Sequence, residues 1–386
     1  MGSARRSTVS DLRRGNRALV LRALYFGGPA SRQELALSTG LSAATLTNVT
    51  ADLLFDGVIG EAGHVGSDGG RPRVLLRVNA GHGYALGAEV GETHVRVDLF
   101  DLAMSEHGSA EYPLPPGEHD PALVADLIAA GADRVLLGLG LPRARILGLG
   151  AGVPGIVERS GVVHAQAYGW RGAGLGGLLR ERLPYPVFVE NGAKAMGQAE
   201  LWSGAGQGVT DAVVVLVGSG VGAAIVTGRR AYRGVGGSAG EWGHTPVAVG
   251  GRLCRCGSRG CLEAYVGAES VIARHGSTGD GDTRAAFTRV LDDPSPEARR
   301  VVAETVTYLG AGLGGLVNLL NPERIILGGW AGLLLGAGRL PAIREAARAY
   351  ALTQPYEKVT IELGRLGPDA VTAGAATLVV ADFLSG

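Results

Sequence analysis

Gly240-Glu241-Trp242-Gly243-His244 and, ten residues beyond that histidine, Cys254-Arg255-Cys256-Gly257-Ser258-Arg259-Gly260-Cys261-Leu262-Glu263 decide the reading of this 386-residue chain. All 3 cysteines fall in the second run. An odd, tightly spaced set argues for a metal site rather than for disulfides. One histidine and three cysteines fill a tetrahedral shell with no open position, which is the pattern of a structural zinc ion rather than a catalytic one. His244, Cys254, Cys256 and Cys261 are therefore expected to hold one Zn²⁺ per chain and to pin an irregular glycine-rich loop. His244 can give only one ring nitrogen to the metal and keeps the other for a ligand. Glu241 and Glu263 flank the loop. Carboxylates there can accept hydrogen bonds from ligand hydroxyls.

The sequence around this loop reads as a duplicated α/β unit. Tyr84 to Gly91 is an apolar strand reaching a glycine turn, and Thr93 to Asp101 alternates as its hairpin partner. A helical stretch follows over Pro121–Gly138, then a buried strand from Ile146 that ends in Gly152-Val153-Pro154-Gly155. The pattern returns at Asp211, with Ala212–Val217, the turn Gly218-Ser219-Gly220-Val221-Gly222, and Ala223–Val226. Two such units predict two lobes with a cleft between them. A glycine turn after a strand can offer backbone N–H groups to a phosphate.

The first eighty residues differ in kind. Residues 16–26 place Leu19, Val20, Ala23, Leu24 and Phe26 at helical spacing, and Gly27-Gly28-Pro29 stops that helix. Ser31, with Glu34 three residues on, forms a capping box for a second helix that Gly40 ends. Ser42 caps a third, with Leu46, Val49, Leu53 and Leu54 on its buried stripe. This spacing predicts a helix-turn-helix. Val58–Glu61 and Val74–Val78 predict a two-stranded wing tipped by Gly69-Gly70-Arg71-Pro72. Residues 1–78 hold ten Arg and six acids, so the head carries +4 and the remainder −4 of a net charge of zero. A basic head on an acidic body suits a polyanionic partner. Double-stranded DNA is the expected partner, with Arg32, Ser42, Ala43, Thr45, Thr47 and Asn48 toward the major groove and Arg71 entering the minor groove. No apolar run is long enough to span a membrane, and Met1–Leu12 lacks a signal-peptide core, so the expected place is the cytoplasm.

These motifs together resemble the ROK (repressor, ORF, kinase) family over essentially the whole chain. The Gly240–His244 and Cys254–Tyr265 runs carry the resemblance. Gly150–Val157, the Gly218–Gly222 turn, Glu190-Asn191 and Asn318–Gly329 also carry it. The resemblance implies an α/β actin-like, hexokinase-like two-lobed domain over residues 81–386, behind an N-terminal winged helix-turn-helix over 1–80. The lobes would span approximately 81–190 plus the C-terminal helix, and 191–370. It implies sugar contacts at Gly155, Asn191, Glu241, His244 and Glu263.

Kinases of the family place Asp directly after the Asn of the Glu-Asn pair, as the base that takes the sugar proton; here that position is Gly192. Glu89 and Glu92 replace the Asp and second Gly of the first phosphate turn. No catalytic residue is therefore expected. The chain is similar to the family's repressor branch, which includes the xylose and N-acetylglucosamine repressors. The implied activity is that of a repressor of carbohydrate-related genes, assembled as a homodimer or tetramer. Its effector would be a sugar, or a sugar phosphate paired with Lys194. The alternative is an active ATP-dependent sugar kinase carrying a DNA-binding arm.

Overall fold

The computed structural model describes residues 8–65, 73–115, 117–277 and 282–386. The chain begins with α1 (Val9–Gly27), β1 (Ala30–Ser31), α2 (Arg32–Thr39) and α3 (Ala43–Phe55), followed by β2 (Ile59–Val65) and β3 (Arg73–Val78). The caps read from the sequence are in place. The Ser31 hydroxyl accepts from the Glu34 N–H while the Glu34 carboxylate accepts from the Ser31 N–H. Gly40 closes α2 in the left-handed region at φ 70°, and Ser42 caps α3. Leu46 and Leu53 are buried, whereas Val49 and Leu54 are only half-buried. The first helix starts seven residues earlier than the apolar spacing suggested, at a Thr8–Asp11 capping box. The short strand β1, which the sequence reading missed, joins the hairpin to make a sheet in the order β1-β3-β2. Arg71 and the rest of the expected wing tip lie outside the described residues.

The body contains two five-stranded sheets of matching design. The first is built from β4 (Tyr84–Val90), β5 (His94–Asp101), β6 (Glu106–Pro113), β7 (Ile146–Val153) and, after three short strands, β11 (Val187–Asn191), in the order β11-β7-β4-β5-β6. The intervening elements are α4 (Pro121–Leu139), β8 (Ile156–Val157), β9 (Val163–Ala165), β10 (Trp170–Ala173) and α5 (Leu175–Arg182). Helix α6 (Gly192–Ser203) leads to the second sheet. That sheet comprises β12 (Ala212–Val217), β13 (Val221–Thr227), β14 (Arg230–Tyr232), β15 (Arg324–Gly328) and β16 (Thr360–Leu363), in the order β14-β13-β12-β15-β16. In each sheet three strands form an antiparallel meander, and two more add in parallel on the far side of the first. This is the duplication that the repeated strand-turn-strand units predicted. Between β14 and β15 run α7 (Glu263–Val266), α8 (Ala268–His275), α9 (Thr283–Asp292) and α10 (Pro296–Leu320); α11 (Trp330–Tyr350) and α12 (Thr353–Tyr356) precede β16.

The last helix, α13 (Ala370–Phe383), returns to cover the first sheet. Glycines allow this approach at backbone distance. A Cβ on Gly150 of β7 would fall well inside the radius of the Ala375 carbonyl oxygen, and one on Gly374 of α13 would strike the Ala195 carbonyl of α6. The apolar core of the N-terminal unit is continuous with that of the body. Val20, Leu21, Leu24, Leu35, Leu46, Leu53, Ile59 and Leu76 form one buried cluster with Phe100, Leu102, Val379, Val380 and Leu384. No helix among the described residues is long and apolar enough to cross a membrane. Replacing Gly150 with Ala is expected to destabilise the protein by at least about 2 kcal/mol, because the methyl meets unyielding backbone. Urea unfolding measures the loss, and an unchanged midpoint would contradict the packing described.

Candidate functional site

The loop chosen from the sequence folds back on itself through two β-bridges, Pro246 to Cys261 and Leu253 to Arg259. His244 ends a single helical turn that starts at Trp242. The ligand atoms of His244, Cys254, Cys256 and Cys261 all lie within 4.8 Å of one another. Cys256 Sγ is 3.7 Å from Cys261 Sγ, and Cys254 Sγ is 3.8 Å from His244 Nδ1. A tetrahedron with metal–sulfur arms of about 2.3 Å has edges of about 3.8 Å. The four side chains thus fit a tetrahedral metal ion. Nδ1 is the nitrogen turned toward the cysteines, which leaves Nε2 for another contact.

The sugar-contact candidates gather beside this loop. Asn191 caps α6, its Oδ1 accepting from the Lys194 N–H at 3.1 Å, and its Nδ2 donates to the Gly155 carbonyl at 2.8 Å. One Nδ2 hydrogen and one Oδ1 lone pair remain for a ligand. Gly155 has φ 82°, and a side chain there would collide with the His164 carbonyl. Glu241 has its carboxyl raised by burial, with Lys194 and His244 opposing and Glu263 reinforcing. Glu263 is 5% exposed and anchors the glycine turn, accepting from the Val221 N–H at 2.9 Å. Gly155, Asn191, Glu241, His244 and Glu263 thus share one neighbourhood.

Three features of this neighbourhood were not legible in the sequence. Arg255, between two of the cysteines, crosses the cleft. Its Nε donates to Glu263 at 2.8 Å and its Nη1 to Glu92 at 2.7 Å. Arg233 pairs with the buried Glu190. Lys194 is 3% exposed, and its ammonium donates to the Gly237 carbonyl with Glu190 and Glu241 nearby. Lys194 therefore does not stand free to receive a ligand phosphate, as the sequence reading had it. Spacing places Arg255 on the loop, but only the folded chain brings Glu92 to it. Glu89, in the first turn, has its carboxyl pushed up to about 8 by burial, with Asp369 and then Asp98 adding to the effect.

In the N-terminal unit, Ser42, Ala43, Thr47 and Asn48 are exposed on α3 or at its start. Thr45 is half-buried and shares a 2.9 Å hydrogen bond with Ser42. Thr47 donates back to the Ala43 carbonyl. Arg32 is held by its Nε to the Thr50 hydroxyl at 3.1 Å, which braces α2 against α3.

Two five-stranded sheets of one topology, closed by a His-Cys₃ loop at the cleft, define a kinase-like two-lobed protein carrying an extra N-terminal unit. Residues 85–382 match the ROK family, and the chain belongs to it. A xylose repressor of Caldicellulosiruptor bescii is 30% identical over 391 residues, covering 97% of both chains. A glucokinase of Halalkalibacterium halodurans is 32% identical but spans only 76% of this chain and 94% of its own. Among solved structures, a ROK family transcriptional regulator described as a homologue of the E. coli MLC protein superposes with a TM-score of 0.80 at 25% identity, covering 97% of both chains.

Elemental analysis should find one divalent ion per chain. Cys261→Ser should lose it and lower Tm by about 5 °C or more. Full stability without the ion would refute the metal centre. Glu89 also sets a pH dependence. A carboxyl that ionises near 8 when folded and near 4.5 when unfolded binds its proton more tightly in the native state. Stability must then fall as pH rises through that window. Glu89→Gln is expected to flatten the decline of the urea midpoint between about pH 5 and pH 8. An identical slope in the variant would contradict the assignment.

Proposed function

We propose that this protein is a sequence-specific repressor of carbohydrate-related genes, in which a winged helix-turn-helix over residues 1–80 reads operator DNA and a sugar in the cleft of the 81–386 body sets its affinity. The observation that carries this reading is helix α6. It begins at Asn191, among the ligand candidates, and ends near Trp202, whose ring meets Tyr25 and Phe26 of α1 edge-on at 5.7 Å and 5.0 Å. A ligand that engages Asn191 acts on one end of a rigid rod whose other end abuts the head. Because α6 touches α13 at Ala195 and Gly374, and α13 supplies part of the head's core, the three move together. Binding energy that favours one lobe arrangement then shifts the head. In a two-fold dimer this changes the separation of two recognition helices, and hence their fit to paired half-sites. The full-length likeness to a protein named as a repressor also supports the reading.

On this reading Ser42, Ala43, Thr45, Thr47 and Asn48 meet base edges and phosphates from α3, Arg32 orients that helix, and Arg71 serves the wing. The metal is zinc, given its three sulfur ligands and closed shell, and its role is structural. The protein works in the cytoplasm as a dimer or tetramer.

A kinase is disfavoured on two grounds. Gly192 has no side chain and so offers no base where kinases of the family place one. Glu89 has its carboxyl pushed up to about 8 by burial, so a Mg²⁺ ion there would have to displace its proton. The glucokinase relative keeps the alternative in view. ADP release with a hexose panel decides between them, and brisk turnover would reject the repressor reading.

Selection of bound duplexes from a random DNA pool, with and without sugars, tests the function itself. An absence of any preferred site would sink it. Trp202→Ala tests the coupling. DNA affinity and sugar affinity should each stay within about threefold, while the sugar's roughly 5- to 150-fold effect on DNA binding should collapse toward unity. An undiminished effect would place the coupling elsewhere.

A further inference from the structure

Among the described residues, the three cations beside the sugar-contact candidates are each taken by a carboxylate or carbonyl. Arg255 is held between Glu92 and Glu263, and Arg233 is held by Glu190. Lys194 is buried against the Gly237 carbonyl, between the charges of Glu190 and Glu241. Three cations, Lys194, Arg233 and Arg255, thus stand against four carboxylates, Glu92, Glu190, Glu241 and Glu263. The balance is 3 − 4 = −1, and Glu269 at 4.0 Å from Arg255 adds further negative charge at the rim.

The glycine turn that could cradle a phosphate is covered in part in the same way. A Cβ on Gly220 would lie 2.9 Å from Arg255 Nη2, 3.4 Å from Glu263 Oε2 and 3.9 Å from Glu92 Oε1. These three side chains therefore roof the turn. The Val221 N–H is occupied by Glu263, and the Gly218 N–H by the Gly220 carbonyl at 2.9 Å. The start of α6 offers no better anion site. The Lys194 N–H is spent on the Asn191 cap, and Gly192 looks onto a Val371 methyl and the Val153 carbonyl oxygen.

We infer that the cleft selects an uncharged polyhydroxy sugar and discriminates against sugar phosphates, uronates and nucleotides. This rests on the cleft being the effector site proposed above. An anionic ligand would have to lose its water, meet net negative charge and draw Arg255 away from Glu92 and Glu263, and these carboxylates, only 14% and 7% exposed, are costly to leave without their partner. A neutral polyol asks for none of this. Its hydroxyls donate to Glu241 and Glu263 and exchange hydrogen bonds with Asn191. Glu92 and Arg255 act as specificity determinants. Glu92 holds Arg255 back from any phosphate, and Arg255 holds Glu263 in place.

Calorimetry on the full-length, metal-loaded protein tests this with a panel of neutral aldopentoses and aldohexoses, the hexose 6-phosphates, the matching uronates and Mg-ADP. A neutral sugar is expected to bind at least about tenfold more tightly than its phosphate or uronate, a difference of about 1.4 kcal/mol. Its Kd should change by less than about twofold between roughly 50 and 500 mM salt, since no ion is displaced. Glu92→Gln removes one charge and turns a charge-assisted hold on Arg255 into a weaker neutral hydrogen bond. It should narrow the preference for the neutral sugar about tenfold. Tighter binding of any phosphate, uronate or Mg-ADP by the wild-type protein would overturn the inference, as would an unaltered preference in the folded variant. If the protein holds a DNA site yet prefers an anionic sugar, only this inference fails. If no sugar of any charge binds, the effector role proposed for the cleft fails with it.

Discussion

Backbone contact between the C-terminal helix and its neighbours is the constraint on which the rest of the fold depends. Gly87, Gly150 and Gly374 remove the side chains that would hold α13 off the first sheet and off α6. The close-packed interior that results has no slack, so displacement at one element is felt at the next. Because α13 also supplies Val379, Val380 and Leu384 to the core of the N-terminal unit, the sheet, α6 and the head share a single seam. On the function proposed above, a cleft ligand and the DNA-reading helix far from it would be thermodynamically linked through that seam, without any hinge or tether.

The metal loop adds a second rigid point on the opposite lobe. Its cysteines bracket Arg255, and Arg255 bridges to Glu92 on the first lobe and Glu263 on the second. The loop therefore fixes more than its own glycines. It aims Arg255 across the cleft, and through Glu263 it holds the Val221 N–H and the turn before it. Beyond the buried Cys254, Cys261 and Leu262 the segment is irregular and largely exposed, and a metal held by its four donors would fix what burial alone does not.

Much of the fold was legible in the sequence because the signals were local. The Ser31–Glu34 box, Gly40 and Ser42 mark helix ends by hydrogen bonds spanning three or four residues. The repeated strand-glycine-strand units report the duplication by their periodicity. The His-Cys₃ set is readable because a metal needs specific donors at short spacing. What stayed hidden was non-local. Nothing in the sequence brings Trp202 to Tyr25 and Phe26, or Glu92 to Arg255, which are 163 positions apart. Lys194 was misread for the same reason: its charge was visible, but the Gly237 carbonyl and the two glutamates around it were not. Two-residue β1 is too short to leave a pattern at all.

The chain looks modular, as though a DNA-reading head had been bolted to a sugar-binding body. The shared cluster of Val20, Leu24, Leu46 and Leu76 with Phe100, Val379 and Leu384 says otherwise. Severed near residue 80, each half would bare an oily scar that the other now covers. A lineage wishing to exchange one reader for another must remodel the tail of the protein, some three hundred residues downstream, at the same time. Heads and bodies of this kind should diverge as couples rather than as interchangeable parts.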